Sequence, residues 1–191
     1  MDTTDSNRPG YHGNVPPAVM ERAAGIRLLV LDVDGVLTDG SVYIGAEGEL
    51  CKAFHIHDGK GIRLLQQSGV DIALLTARRS TLLERRAQEL QIEHLIQGSG
   101  RKGADLDGLL QRLGVPAEAC AYMGDDLQDL PALRRVGLAV TVADGHPLLA
   151  RHAHLQTARA GGRGAVRELC ELILAARGQL DTLLQAHEDA D

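Results

Sequence analysis

A chain of 191 residues with a formal net charge of −6, 2% aromatic residues and no Trp suits one domain with a core built from Leu, Val, Ile and Ala. The acidic balance excludes a broad nucleic-acid surface, but it leaves room for a small anionic ligand in a locally positive pocket. No apolar run is long enough to cross a bilayer as a helix, and Cys51, Cys120 and Cys170 lack metal-ligand spacing and read as reduced thiols of a cytoplasmic protein.

Residues 1–20 are polar and rich in Pro and Gly, which predicts a poorly ordered arm ahead of a single domain over 21–176. The run Ile26-Arg27-Leu28-Leu29-Val30-Leu31 reads as a buried strand. It ends at Asp32-Val33-Asp34-Gly35, where two carboxylates stand two residues apart and the glycine permits a sharp turn. Residues 40–54 alternate irregularly around Gly45-Ala46-Glu47-Gly48, the pattern of a β-hairpin projecting from the sheet.

Three further apolar runs each lead into a polar cluster. Val70-Asp71-Ile72-Ala73-Leu74-Leu75 precedes Thr76-Ala77-Arg78. His94-Leu95-Ile96 precedes a Gly-rich stretch and Lys102. Ala119-Cys120-Ala121-Tyr122-Met123 precedes Gly124-Asp125-Asp126-Leu127-Gln128-Asp129. Helical periodicity appears near 58–68, 79–91, 103–113, 126–135 and 163–176, and residues 177–191 form an acidic, weakly patterned tail. Strands alternating with helices predict an α/β fold, a Rossmann-like parallel sheet with flanking helices and right-handed crossovers. All strands of such a sheet point one way, so the four polar clusters meet at its carboxyl edge, where ligands bind.

The ordered set Asp32-x-Asp34, Thr76, Lys102 and Gly124-Asp125-Asp126-x-x-Asp129 resembles the motifs of the haloacid dehalogenase-like phosphohydrolases. Asp34-Gly35-Val36-Leu37-Thr38-Asp39-Gly40, Asp58-Gly59-x-Gly61-Ile62 and Gly161-Gly162-Arg163-Gly164-Ala165-Val166-Arg167-Glu168 resemble the branch that dephosphorylates 3-deoxy-D-manno-octulosonate 8-phosphate for lipopolysaccharide precursors. The resemblance implies that Asp32 takes the phosphoryl group as an aspartyl-phosphate and that Asp34 is the acid and later the base. Splitting hydrolysis in this way replaces one difficult step with two easier ones. Carboxylate and phosphate repel each other, by roughly 4 kcal/mol per charge pair at 4 Å and an effective dielectric near 20. The implied Mg²⁺ reverses that sign, and its ligands are carried over as Asp32, the Asp34 carbonyl and Asp125.

By the same resemblance, Thr76 and Lys102 bind and neutralise the phosphoryl oxygens. Asp126 and Asp129 hold Lys102 or a metal-bound water, or else merely charge a helix N-terminus. The partner is a small phosphorylated sugar acid. His55, Ile56, His57, Asp58 and Gly59 are expected to line its site with Asp34 and Lys102, and Arg63, Arg78 and Arg86 are expected to meet its anionic groups. Two residues depart from the branch: His57 stands where Arg is common, and Ala77 where Gly is common. Both touch the substrate pocket, so a related nine-carbon keto-sugar-acid phosphate remains an alternative substrate.

Asp34 to Thr76 spans 42 positions and Thr76 to Lys102 spans 26, too few in either interval for a cap domain beside the predicted elements. An uncapped pocket either takes a large substrate or is closed by a neighbouring subunit, and the resemblance implies a homotetramer in which the 40–54 hairpins pack together. Gly161-Gly162-Arg163-Gly164 reads as a hinge that lets the tail reach a neighbour's pocket and gate access or product release, or else the tail is a frayed terminus. Two other classes compete. In a phosphoacceptor receiver domain the Lys comes last, whereas Lys102 precedes the final acidic cluster. A non-catalytic scaffold would have no need of the complete motif set.

Overall fold

The computed structural model describes residues 15–189. Its elements are α1 (Pro17–Ala24), β1 (Leu28–Leu31), β2 (Tyr43–Gly45), β3 (Gly48–Cys51), α2 (Ile56–Gln67), β4 (Asp71–Thr76), α3 (Thr81–Glu89), β5 (His94–Gln97), α4 (Lys102–Leu113), β6 (Cys120–Gly124), α5 (Leu130–Leu133), β7 (Leu138–Thr141), α6 (Pro147–Ala150), β8 (Leu155–Gln156), α7 (Ala165–Ala176) and α8 (Leu180–Glu188). Six strands form one sheet in the order β5-β4-β1-β6-β7-β8, every pair parallel, and β2 and β3 form a separate antiparallel hairpin.

The continuous apolar run of β1 follows from its central position. Leu29 and Leu31 face a core shared with α1, α2, α3 and α7, while Leu28 and Val30 face a second core under α4 and α5. A parallel strand covered on both faces has no polar side to alternate with. Each fully buried aliphatic side chain contributes roughly 1.5–3 kcal/mol. β7 and β8 were not expected from the sequence; β8 has only two residues, too short for a periodic signal, while β7 is an apolar run of four with no polar cluster after it to mark it.

Several boundaries differ from the sequence reading. The expected arm at 1–20 gives way to helix α1 from Pro17, and its first fourteen residues lie outside the described ones. Proline is pre-set for the first turn of a helix, and Val19 and Ala23, one turn apart, are buried. The helix expected at 126–135 is a 3₁₀ turn, Leu127–Asp129, followed by the four residues of α5. The tail at 177–191 contains α8, whose Leu180 and Leu183 pack on the core. Arg177 anchors its start, donating to Ile26 O at 2.9 Å and Ser68 O at 3.3 Å.

Gly161 and Gly162 are buried contact points instead of a hinge. A Cβ on Gly161 would lie 1.8 Å from Gly35 O, and one on Gly162 would lie 2.5 Å from Asp39 N. Gly162 N also donates to Val36 O at 2.8 Å. The glycines let this strand-to-helix loop press on the turn that follows Asp34.

Candidate active site

Asp32 and Asp34 follow β1, Thr76 ends β4, Lys102 opens α4 after β5, and Asp125 follows β6. The expected four clusters therefore meet at one edge. Gly35 turns the chain away from β1 with φ +92°, and any Cβ there would lie 2.0 Å from Asp125 Oδ2. Only glycine lets the first loop approach the last acidic cluster so closely.

Lys102 is the electrostatic centre. Its side chain is 1% exposed and its ammonium lies 2.8 Å from Asp32 Oδ1 and 2.5 Å from Asp129 Oδ1. Burial opposes its charge, but the two carboxylates outweigh that and hold the ammonium above its ordinary range. Asp129 is buried and fully engaged. Oδ1 also accepts from Tyr122 Oη at 2.6 Å, and Oδ2 accepts from the Asp125 and Asp126 amides at 3.0 and 3.2 Å. Asp129 thus holds Lys102, one of the two roles expected for it. The Asp126 carboxylate caps the 3₁₀ turn by accepting from Leu127 N at 2.7 Å, which is the helix-terminus alternative.

Asp32 Oδ2 and Asp125 Oδ1 are buried without a hydrogen-bond partner. An orphaned carboxylate oxygen is costly, and two beside each other are relieved by a shared proton or by a cation. Carboxylate oxygens of Asp32, Asp125 and Asp129 lie within 4.8 Å of one another, those of Asp129 being already engaged by Lys102, Tyr122 and the two amides. Three carboxylates against Lys102 leave two formal negative charges when all are ionised, the amount a divalent cation neutralises. Burial pushes Asp32 up to about 6, with Asp129 adding to the rise. Burial pushes Asp125 up to about 8, with Asp32 adding to the rise. The residues fit a hard divalent ion with oxygen ligands.

Asp34 points outward from this cluster. Lys52 contacts its Oδ1, and Arg78 Nε lies 3.8 Å from its Oδ2. Thr76 is buried, and its Oγ1 accepts from Arg78 N at 3.2 Å, which fixes the short loop that carries the guanidinium.

The expected sugar-site segment divides. Asp58 is buried and accepts from Gly164 N at 3.3 Å and Arg167 N at 2.8 Å. It caps the N-terminus of α7. Ile56 is 75% exposed, His57 is exposed and its ring meets His55 edge-on at 4.9 Å. Gly59 lies under Arg86, whose Nη2 would be 2.4 Å from any Cβ there. Arg86 stacks over Phe54 at 5.6 Å and pairs with Glu89 at 2.8 Å. It borders a recess of about 380 Å³ shared with Lys52 and Arg85.

Arg63 departs from expectation. Its guanidinium is held by Gln66 Oε1, Leu90 O and Gln91 Oε1 at 3.0, 3.3 and 2.8 Å. It borders a recess with Asp71 and His94, the first residues of β4 and β5, at the amino edge of the sheet. Helix α2 runs from the carboxyl edge toward the amino edge. Seven residues past Ile56 is about 10 Å along it at 1.5 Å per residue.

Sequence reasoning missed Tyr122, Glu49 and Lys52. Tyr122 is the one hydroxyl in an otherwise non-hydroxylated strand β6, a signal that was legible. Glu49 and Lys52 lie in and just after the hairpin, and nothing local distinguishes them from exposed hairpin charges.

Residues 58–137 match the haloacid dehalogenase-like hydrolase family. The 3-deoxy-D-manno-octulosonate 8-phosphate phosphatase of Salmonella typhimurium is 51% identical over 170 residues, 89% of this chain and 90% of that protein. The crystal structure of the Yersinia pestis enzyme superposes with a TM-score of 0.85 at 52% identity, covering 86% of this chain and 89% of that one. The Moraxella catarrhalis enzyme, solved with a magnesium ion, a phosphate ion and a KDO molecule, gives 0.86 at 42% identity, covering 88% and 97%.

Proposed function

Because the chain belongs to the 3-deoxy-D-manno-octulosonate 8-phosphate phosphatases of the haloacid dehalogenase-like superfamily, we propose that it is a Mg²⁺-dependent phosphomonoesterase. It hydrolyses that sugar-acid phosphate to the free acid and phosphate through an aspartyl-phosphate. The observation that carries this reading is the pairing of Asp32 with Lys102 at 2.8 Å while Asp32 Oδ2 and Asp125 Oδ1 stay unpartnered.

We assign Asp32 as the nucleophile. Lys102 holds one of its oxygens and offsets charge on the transferring phosphoryl group, and the Thr76 hydroxyl donates to a phosphoryl oxygen. Asp34 gives a proton to the leaving oxygen and later takes one from water. Asp32, the Asp34 carbonyl and Asp125 would hold Mg²⁺, which supplies charge neutralisation that lets a carboxylate meet a phosphate. Asp129 and Tyr122 keep Lys102 aimed. Arg78, beside Asp34, is the best-placed cation for an anionic group of the substrate. Arg86 reaches the neighbouring recess, while Arg63 has no access to the site of its own chain.

The remaining assignments rest on surface and family. Val42, Tyr43, Ile44 and Leu50 leave 41–77% of their surface exposed on the hairpin and its approach, an apolar patch that favours burial against other copies in a homotetramer. Among the described residues no helix is long and apolar enough to cross a membrane. By family, we assign the protein to lipopolysaccharide precursor synthesis in the cytoplasm. A phosphate-release screen of the purified protein against sugar phosphates with Mg²⁺ tests the function. Equal kcat/KM for several unrelated sugar phosphates would reject the substrate and retain the reaction class, and no phosphate release would reject both.

A further inference from the structure

Lys52 stands directly after β3 and sends a side chain that is 2% exposed onto two carboxylates. Its ammonium contacts Asp34 Oδ1 and lies 3.2 Å from Glu49 Oε1. Arg78 reaches the same pair, with Nε 3.8 Å from Asp34 Oδ2 and Nη2 3.5 Å from Glu49 Oε1. Each Asp34 oxygen therefore faces a cation, and Glu49 ties the two cations together. Glu49 is itself held by Ser80 Oγ, the side chain that caps α3. Burial works against the charge of Glu49, but the bonds from Ser80 and Lys52 keep its carboxyl below the ordinary range.

A short carboxylate on a turn rotates among staggered positions unless its oxygens are held. Delivering a proton requires hydrogen-bond reach of the leaving oxygen. Lys52 and Arg78 hold the two Asp34 oxygens, and Glu49 bridges the two cations and offsets one of their two charges.

We propose that Lys52 and Glu49 are positioning residues that aim Asp34 at the leaving oxygen, so that the hairpin sets the catalytic acid. The inference rests on the phosphomonoesterase reading. As the Asp32 oxygen–phosphorus bond forms, the bond from phosphorus to the sugar oxygen breaks and the Asp34 proton passes to that oxygen. Water then attacks phosphorus, loses its proton to Asp34 and releases Asp32.

The experiment compares kcat/KM for two esters in Mg²⁺. The sugar-acid phosphate leaves as an alkoxide and needs a proton, whereas p-nitrophenyl phosphate leaves as a stable phenolate without one. Lys52→Met and Glu49→Gln are each expected to lower kcat/KM on the sugar phosphate on the order of 10- to 100-fold and on the aryl ester less than about 3-fold, as for an impaired general acid. Lys52→Arg is expected to restore most of the sugar-phosphate rate. A thermal melt checks folding, and Lys52→Gln replaces Lys52→Met if the latter fails to fold. Equal losses on both esters would make the residues structural props, and no loss on either would remove them from the reaction; both outcomes overturn the proposal. A wild-type protein that cleaves neither ester would reject the phosphatase reading itself.

Discussion

Lys102 and Asp129 form an ion pair of 2.5 Å in which neither side chain is more than 1% exposed. Breaking a buried pair of this kind costs several kcal/mol because one charge is left uncompensated. Here the pair also sets the position of the ammonium that touches Asp32.

Asp129→Ala should therefore lower both stability and turnover. The loss of stability is expected at roughly 3–5 kcal/mol, read from denaturant unfolding, with a fall in kcat. Tyr122→Phe removes only the hydroxyl and should cost less, roughly 1.5–3 kcal/mol for a bond to a charged group. If both variants melted like the wild type, the buried network would not carry the stability assigned to it.

Asp32→Asn should abolish phosphate release while the fold persists, since the two side chains are nearly isosteric. A decrease of at least on the order of 10³-fold is expected for loss of a nucleophile, with an unchanged far-ultraviolet circular dichroism spectrum. Substantial hydrolysis by a folded Asp32→Asn protein would refute the assignment.

The metal-free protein should lose stability as pH rises. Burial raises Asp32 to about 6 and Asp125 to about 8, above the ordinary carboxylate range near 4. A folded state that binds protons more tightly than the unfolded one is favoured at low pH. The stabilisation is full below about pH 4 and is lost as pH climbs through 6 and 8. Mg²⁺ replaces those protons, so the rise in Tm on adding it should grow with pH. Melting curves in a chelator and in Mg²⁺ between pH 5 and 9 check this, and parallel curves would count against a shared carboxylate site.

Gly161→Ala should destabilise the protein, because the new Cβ would lie 1.8 Å from the Gly35 carbonyl oxygen. Overpacking of this kind costs typically about 1–3 kcal/mol. The displaced Gly35 turn should also reduce activity. A neutral effect on both melting and turnover would restore the view of this loop as a slack hinge.

Ile44 is 77% exposed and Leu50 69% exposed. If the proposed homotetramer forms through the hairpins, the double substitution Ile44→Lys and Leu50→Lys should convert it to smaller species without unfolding the chain, measured by light scattering after size exclusion. An unaltered tetramer would place its contacts elsewhere, and a fully active monomer would reject closure of the site by a neighbour. Removing residues 177–191, by contrast, is a poor test of gating alone. It deletes the Arg177 anchor and the packed Leu180 and Leu183, so a lower Tm is expected alongside any change in kcat or KM.

The sequence by itself determined the parallel α/β sheet and the convergence of Asp32, Asp34, Thr76, Lys102 and Asp125. These positions were legible because each follows an apolar run, directly or, for Lys102, after a short Gly-rich loop, and strand direction then carries all of them to one edge. The hairpin was legible for the same local reason. Tertiary structure decided the rest, wherever a side chain's role depends on what packs against it. Arg63 follows a motif as Arg78 does but rides α2 toward the far edge of the sheet. Asp58 caps α7, more than a hundred positions away in the chain. Gly161 and Gly162 serve close contact with the Gly35 turn, which no local pattern distinguishes from flexibility. Lys52 reaches Asp34, and Glu49 reaches Arg78 and Ser80, only because the hairpin folds back over the sheet edge. A charge acquires its function from the partner it meets, and partners distant in the chain are chosen by the packing of the whole molecule.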